Sequence, residues 1–146
     1  MGQVASGQQN KAPAHEGHGK HNMLGYSEHF KECAEACSDC QRECDRCAMH
    51  CAGMLSHGKD HHMTMQTCMD CADVCAAAAQ IVSRGGPFAM EICEACADVC
   101  KQCAAACRKH PDDSKMAACA KECEACEKAC RSMLQTAKQH DPKATR

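Results

Sequence analysis

The chain has no tryptophan, one tyrosine and two phenylalanines, and its leucines, isoleucines, valines and phenylalanines together number only eleven in 146 residues. A hydrocarbon core of the usual kind cannot be assembled from so little, and such a composition normally marks a disordered chain. No run of about 18 apolar residues occurs, which excludes a membrane-spanning helix. No basic segment leads into an apolar one near the start, so no export signal is expected in the chain as written. Excess charge of one sign is missing as well. The nominal net charge of -2 gives no electrostatic reason for a nucleic-acid partner.

What the chain holds instead is cysteine, eighteen residues of it. From Cys33 the thiols fall at Cys37, Cys40, Cys44, Cys47 and Cys51, in steps of four, three, four, three and four. Alternating steps of three and four keep side chains on one stripe of an α-helix, the a and d positions of a heptad, and the residues between are charged or small. Disorder offers no reason for thiols to keep helical phase. The chain is therefore expected to fold around sulfur, since an unpaired cysteine packs as a small hydrophobe.

The same phase recurs three more times. A first helix is expected from Ser27, as N-cap, to about His57, with Gly58 as its stop and with Phe30 and Tyr26 extending the stripe backward. A second begins between Asp60 and Thr64, carries Cys68, Cys71 and Cys75, continues the phase through Ala78 and Val82, and ends at Gly85 and Gly86. Pro87 at the first helical position opens a third, with Cys93, Cys96, Cys100, Cys103 and Cys107 in phase and His110 on the same stripe. A fourth starts near Asp113 and carries Met116, Cys119, Cys123, Cys126, Cys130, Met133 and Ala137. Four helices with short loops and one apolar stripe each predict an all-α, antiparallel up-down-up-down bundle over residues 26–139 with a Cys-lined core. Residues 1–25 read as a disordered tail, in which His15, His18 and His21 are a compositional hint only, and residues 140–146 as a polar tail.

Several chemistries use many cysteines. Disulfides between residues four apart on an intact helix are strained, and the density is wrong for a scaffold that ties loops together. Structural zinc usually takes two Cys-x-x-Cys turns for one closed site, and iron–sulfur clusters take loops around an inorganic core; neither matches pairs stacked along continuous helices. Catalysis needs one activated thiol, and none is singled out. Soft thiolates select Cu(I), which accepts two or three ligands, so multiple Cu(I) ions held by all eighteen cysteines are the expected cargo. A thiol-rich redox or metal-sensing protein, or a zinc-binding Cys-rich protein, remains the alternative, and no enzymatic turnover is expected.

On the pairs Cys33/Cys37, Cys40/Cys44, Cys47/Cys51, Cys71/Cys75, Cys96/Cys100, Cys103/Cys107, Cys119/Cys123 and Cys126/Cys130, residues 26–138 resemble the bacterial copper storage proteins. The resemblance implies Cu(I) bound by thiolate pairs inside a four-helix bundle, bundles associated as a homotetramer, and copper homeostasis as the role. It also implies a cytosolic and an exported branch. The cysteine count and the missing signal are similar to the cytosolic branch, so the cytoplasm is expected, with the periplasm or export as the alternative if a signal peptide has been removed. Copper ions are the expected partner, supplied by a copper chaperone or a small-thiol donor; no nucleic acid and no membrane are expected.

Antiparallel topology also sorts the two ends. Met54, His57, His61, His62, Met63, Met65, His110 and Met116 gather at one end; Tyr26, Phe30, Ile81, Val82, Phe88 and Leu134 gather at the other, with Met90 and Met133. Thioether and imidazole hold Cu(I) more loosely than thiolate, which suits passing it inward. Met54, His57, His61, Met65, His110 and Met116 are the expected uptake residues, opposite a hydrophobic plug. Met49, Met69 and His50 are out of phase and receive no role from the sequence.

Overall fold

A computed structural model describes residues 23–140, with side chains from residue 28 onward. The chain forms α1 (Met23–Ser56), α2 (His62–Ser83), α3 (Ala89–Cys107) and α4 (Ser114–His140), joined by segments of five, five and six residues. Among the described residues there is no strand. Of the tails expected at 1–25 and 140–146, residues 23–25 belong to α1 and His140 ends α4; residues 1–22, with the three histidines, and 141–146 lie outside the described residues, as does the side chain of Tyr26.

Two boundaries differ from expectation. Ser27 lies inside α1, which begins at Met23, so it is not the N-cap. Pro87 sits in the turn before α3 and not at its first position; Phe88 flanks the helix, and the Ala89 amide bonds back to the Gly86 carbonyl at 3.0 Å. The C-terminal stops follow the sequence. Gly85 adopts φ 59°, and the amides of Gly85 and Gly86 reach the carbonyls of Val82 and Ile81 at 2.9 and 3.0 Å, the paired bonds of a Schellman ending. Gly58 closes α1 with φ 74°. At these two positions a side chain would meet the left-handed backbone penalty.

Helices pack in a square: α1 lies against α2 and α4, and α3 lies against the same two. Among the described residues the diagonal pairs make no close backbone approach, and α1 meets α3 through sulfur contacts such as Cys33–Cys93, Cys37–Cys96 and Cys40–Cys100. Close packing along the edges comes from alanines that directly follow a cysteine. Ala34, Ala48, Ala72, Ala97, Ala104 and Ala120 are all buried, so each helix sets a methyl beside its sulfur stripe where a larger side chain would push its neighbour away. Between the stripes, Glu, Lys, Gln, Arg and Ala are strong helix formers and offset the modest propensity of cysteine. On the surface Arg131 joins Glu127 to Asp98 across α4 and α3, and Arg108 pairs with Glu124, exposed contacts that solvent screens.

Apart from Met116, Met133 and Val82, the bulk of the fully buried volume is cysteine. No helix among the described residues is long and apolar enough to cross a membrane.

Candidate metal centre

All eighteen cysteines are buried free thiols. Their sulfur contacts fix the register of the bundle and sort the core into levels. At the second level Cys37 lies 3.9 Å from Cys96 and 3.7 Å from Cys126, and Cys75 lies 3.7 Å from Cys96. At the third, Cys40 lies 3.8 Å from Cys100 and 3.7 Å from Cys123, with Cys71 at 3.8 Å from Cys100. At the fourth, Cys44 lies 4.0 Å from Cys103 and 3.9 Å from Cys119, with Cys68 at 3.8 Å from Cys103. These three levels take one thiol from every helix.

The levels on either side are mixed. One step below, Cys33 lies 3.5 Å from Cys93 and 3.6 Å from Cys130, and the register of α2 against α3 sets Ala78 where a fourth thiol would stand. Beneath that come Phe30, Val82, Ala89 and Met133, all buried. One step above the four-thiol levels, Cys47 lies 4.0 Å from Cys107 and 3.6 Å from the Met116 sulfur, and Thr64 of α2 takes the fourth place. Above that, Cys51 touches Met116 at 3.9 Å, and His61 stacks on His110 with ring centroids 4.1 Å apart.

Sulfurs also touch between levels, for example Cys75 with Cys100 at 3.5 Å and Cys44 with Cys123 at 3.6 Å. Five groups of four thiols have sulfurs that all lie within 4.8 Å of one another, and consecutive groups share members: Cys126, then Cys40, then Cys44 with Cys123, then Cys119. The thiols form one connected array.

Ionisation in this array is uneven. Burial above all pushes the Cys51 thiol up. Cys93 is pushed up by its contacts with Cys130 and Cys33 and by burial. In the middle, Cys40 and Cys96 are pulled below the ordinary thiol range by hydrogen bonding with neighbouring cysteines: Cys100, Cys123, Cys126 and Cys44 for the first, and Cys100, Cys126, Cys130 and Cys37 for the second. Cys123 and Cys126 are pushed up correspondingly. Burial works to raise every one of these thiols, so a cation that replaces the proton is what favours ionisation here.

The expected uptake residues are dispersed. Met54, His61 and His110 line a cleft of about 500 Å³ together with Lys59, Lys109, Pro111, Asp112, Asp113 and Ser114. Met116 is fully buried beneath it against Cys47 and Cys51. His57 is exposed and bonds the Gly53 carbonyl through Nδ1 at 2.9 Å, closing the end of its own helix, and Met65 packs at the edge of the core. Neither lines the cleft. At the opposite end Phe88, expected in the plug, is 67% exposed, because the turn around Pro87 carries it outside the bundle. A groove of about 1230 Å³ lies at that end over Phe30, Ala34, Val82 and Ala89, and no cysteine lines it.

Two features have no counterpart in the sequence reading. His50 Nε2 lies 2.6 Å from Asp113 Oδ2, tying α1 to the start of α4, while Asp113 Oδ1 accepts from the amides of Lys115 and Met116 at 3.0 and 3.2 Å and so caps the helix. Burial works against the Asp113 carboxylate, but the bonds from His50, Met116 and Lys115 outweigh it and hold the group below its ordinary range. The second feature is Thr64, whose Oγ1 lies 3.2 Å from His110 Nε2. Burial first and His110 second push the His61 imidazole down.

The copper storage protein family model matches residues 26–135. The chain is 39% identical over 93 residues to a cysteine-rich protein of Bacillus subtilis, YhjQ, covering 62% of this chain and 81% of that one. Among solved structures it is similar to a cytosolic copper storage protein of Streptomyces lividans loaded with five coppers, at 32% identity and TM-score 0.72, covering 77% and 97% of the two chains. It is also similar to the Cu(I)-bound copper storage protein BsCsp3, at 40% identity and TM-score 0.65, covering 75% and 98%. A sulfur-lined four-helix bundle whose match runs from the first helix to the last places this chain in the copper storage protein family.

Proposed function

We propose that the chain stores Cu(I) in the thiol array, with all eighteen cysteines as ligands. The observation that carries this reading is the sharing of thiols between adjacent four-sulfur groups. A tetrahedral zinc ion takes four thiolates, whereas a soft ion of lower coordination number takes two or three, so an array of shared thiols holds more of the second kind.

Uptake is assigned to the cleft end, through Met54, His61 and His110 to Met116 and then Cys47 and Cys51. Eighteen reduced thiols suit the reducing cytoplasm, and the Streptomyces relative is described as cytosolic. A copper chaperone or a small thiol is the donor. The half-buried Val74, Ile81, Ile92 and Val99 along α2 and α3 support assembly into a homotetramer. The function is storage, with no turnover.

Anaerobic titration of the reduced protein with Cu(I) tests this. Many equivalents per chain, protecting nearly all thiols from a thiol reagent, are expected; about four equivalents of Zn²⁺ bound more tightly than Cu(I) would overturn it. Replacing Met54 and Met116 by Leu nearly conserves volume and is expected to slow uptake and chelator-driven removal with little loss of capacity. Replacing Met90 and Met133 by Leu at the other end is expected to leave both rates unchanged. The reverse pattern would mean the ends have been exchanged.

A further inference from the structure

One cysteine of the array meets the side of the bundle. Cys47 is 2% exposed, whereas the other seventeen cysteines are 0% exposed. It lines a cavity of about 750 Å³ on the flank, toward the C-terminal end of α1 and against the first turn of α4, with Arg46, Met49, His50 and Lys115 around it. Neither the end cleft nor the groove at the opposite end is lined by a cysteine. The side cavity and the end cleft are separate openings: Asp113 lines the cleft and His50 the cavity, so the 2.6 Å contact between these two side chains is the partition. At the rim Met49 is 72% exposed and offers a thioether to solvent. Inside, the Cys47 sulfur lies 4.0 Å from Cys107 and 3.6 Å from the Met116 sulfur, which joins it to the array.

A cavity of this volume falls in the range of small-molecule sites, about 300–1,000 Å³. A folded donor protein docks through about 800 Å² of complementary surface, which a recessed thiol does not offer, whereas a small thiol enters the recess. The sulfurs of Met49 and Cys47 select a soft ion. We propose that the side cavity receives a Cu(I) complex of a low-molecular-weight thiol, which hands its copper to Cys47 from the flank. This inference rests on the copper storage reading and gives the store a second opening, independent of the end cleft. The transfer is a ligand exchange. The Cys47 sulfur forms a bond to copper as one donor sulfur lets go, and the Cys47 proton leaves on the departing thiol. Cys107 displaces the second donor thiol in the same way, its proton leaving likewise. Copper stays Cu(I) throughout, and no electron is transferred. Met49, a weaker and neutral ligand, meets the ion first at the rim.

The test begins on reduced, copper-free protein under anaerobic conditions, pulsed with a small neutral thiol reagent, methyl methanethiosulfonate, and mapped by peptide mass. Cys47 is expected to be modified at least tenfold faster than Cys51. Met49→Trp fills the mouth of the cavity at a position exposed enough to accept the bulk, and is expected to slow modification of Cys47 at least fivefold. Lys115→Trp, on the facing wall, is the second variant if the first loses helicity, and Met69→Trp, an exposed methionine outside the cavity, is expected to change nothing. Modification led by another cysteine, or spread evenly over all eighteen, overturns the side opening. So does modification of Cys47 that is slowed by Met54→Trp in the end cleft and not by Met49→Trp. Uptake of Cu(I) from its glutathione complex is then timed. Met49→Trp is expected to slow it at least threefold with final capacity unchanged, and Met69→Trp to leave it as in the parent. Unslowed uptake in a variant whose Cys47 is shielded overturns delivery through the cavity. Failure of the parent protein itself to fill with Cu(I) would overturn the storage reading, an outcome that the modification pattern does not share.

Discussion

Replacing Ala78 by cysteine completes the level that holds three thiols and an alanine. Ala78 is fully buried, on the register that sets it beside Cys33 and Cys93 and diagonal to Cys130. Adding a sulfur there without removing anything overpacks the site, at about 1–3 kcal/mol in the metal-free protein. For a chain of this size about 2 kcal/mol corresponds to roughly 5–10 °C in Tm. In the loaded protein the new thiol becomes a ligand, so the loss should shrink or reverse as copper is added, and capacity should rise by about one Cu(I) or less, since bridging thiolates are shared. Ala97→Cys serves as the control. It is equally buried but flanks the stripe, so it should cost similar stability and add no capacity. Thermal unfolding of the reduced apo and loaded forms, with anaerobic copper counting on both variants, decides it. If Ala97→Cys gains capacity and Ala78→Cys does not, the assignment of levels is wrong.

Asp113→Ala removes a helix cap and the partner of His50, and is expected to lower stability by at least about 1 kcal/mol in thermal unfolding. Because the folded carboxyl sits below its unfolded value of about 3.9, its contribution is fully present above about pH 4 and is lost as the pH falls through the folded value. The gap between parent and Asp113→Ala should therefore close on acidification; a gap that persists unchanged to pH 2 would show that the carboxylate charge is not what stabilises. Proton release reports on thiolate sharing. Near saturation fewer than two protons per Cu(I) should leave the protein in a weakly buffered titration, and release that stays at two throughout would refute bridging.

The periodicity of the cysteines was enough to derive the inward stripes, because a three–four spacing has one physical use and sulfur has few reasons to keep it. Level assignments were out of reach. Which cysteine meets which depends on the path of the loops, and spacing along one helix says nothing about its offset against another. The same reason hid His50, which is out of phase on α1 and acquires its role from Asp113 on a different helix. Thr64 was overlooked because a threonine in phase reads as filler until His110 is seen beside it. Pro87 and Phe88 were misplaced for a local reason: a proline suits the first turn of a helix and the turn before it almost equally, and the choice decides whether Phe88 faces in or out. His57 kept the stripe by count but lies just past the end of α1, where the phase no longer applies.

A core built in repeating levels makes helix length a measure of holding power. Each residue adds about 1.5 Å of rise, so seven more in every helix lengthen the bundle by about 10.5 Å and supply two further rungs. Nothing else need change: the square cross-section, the alanines along its edges, the glycine stops and the polar end keep their dimensions. Lineages can then tune how much metal one chain carries by duplicating heptads, without redesigning any single site.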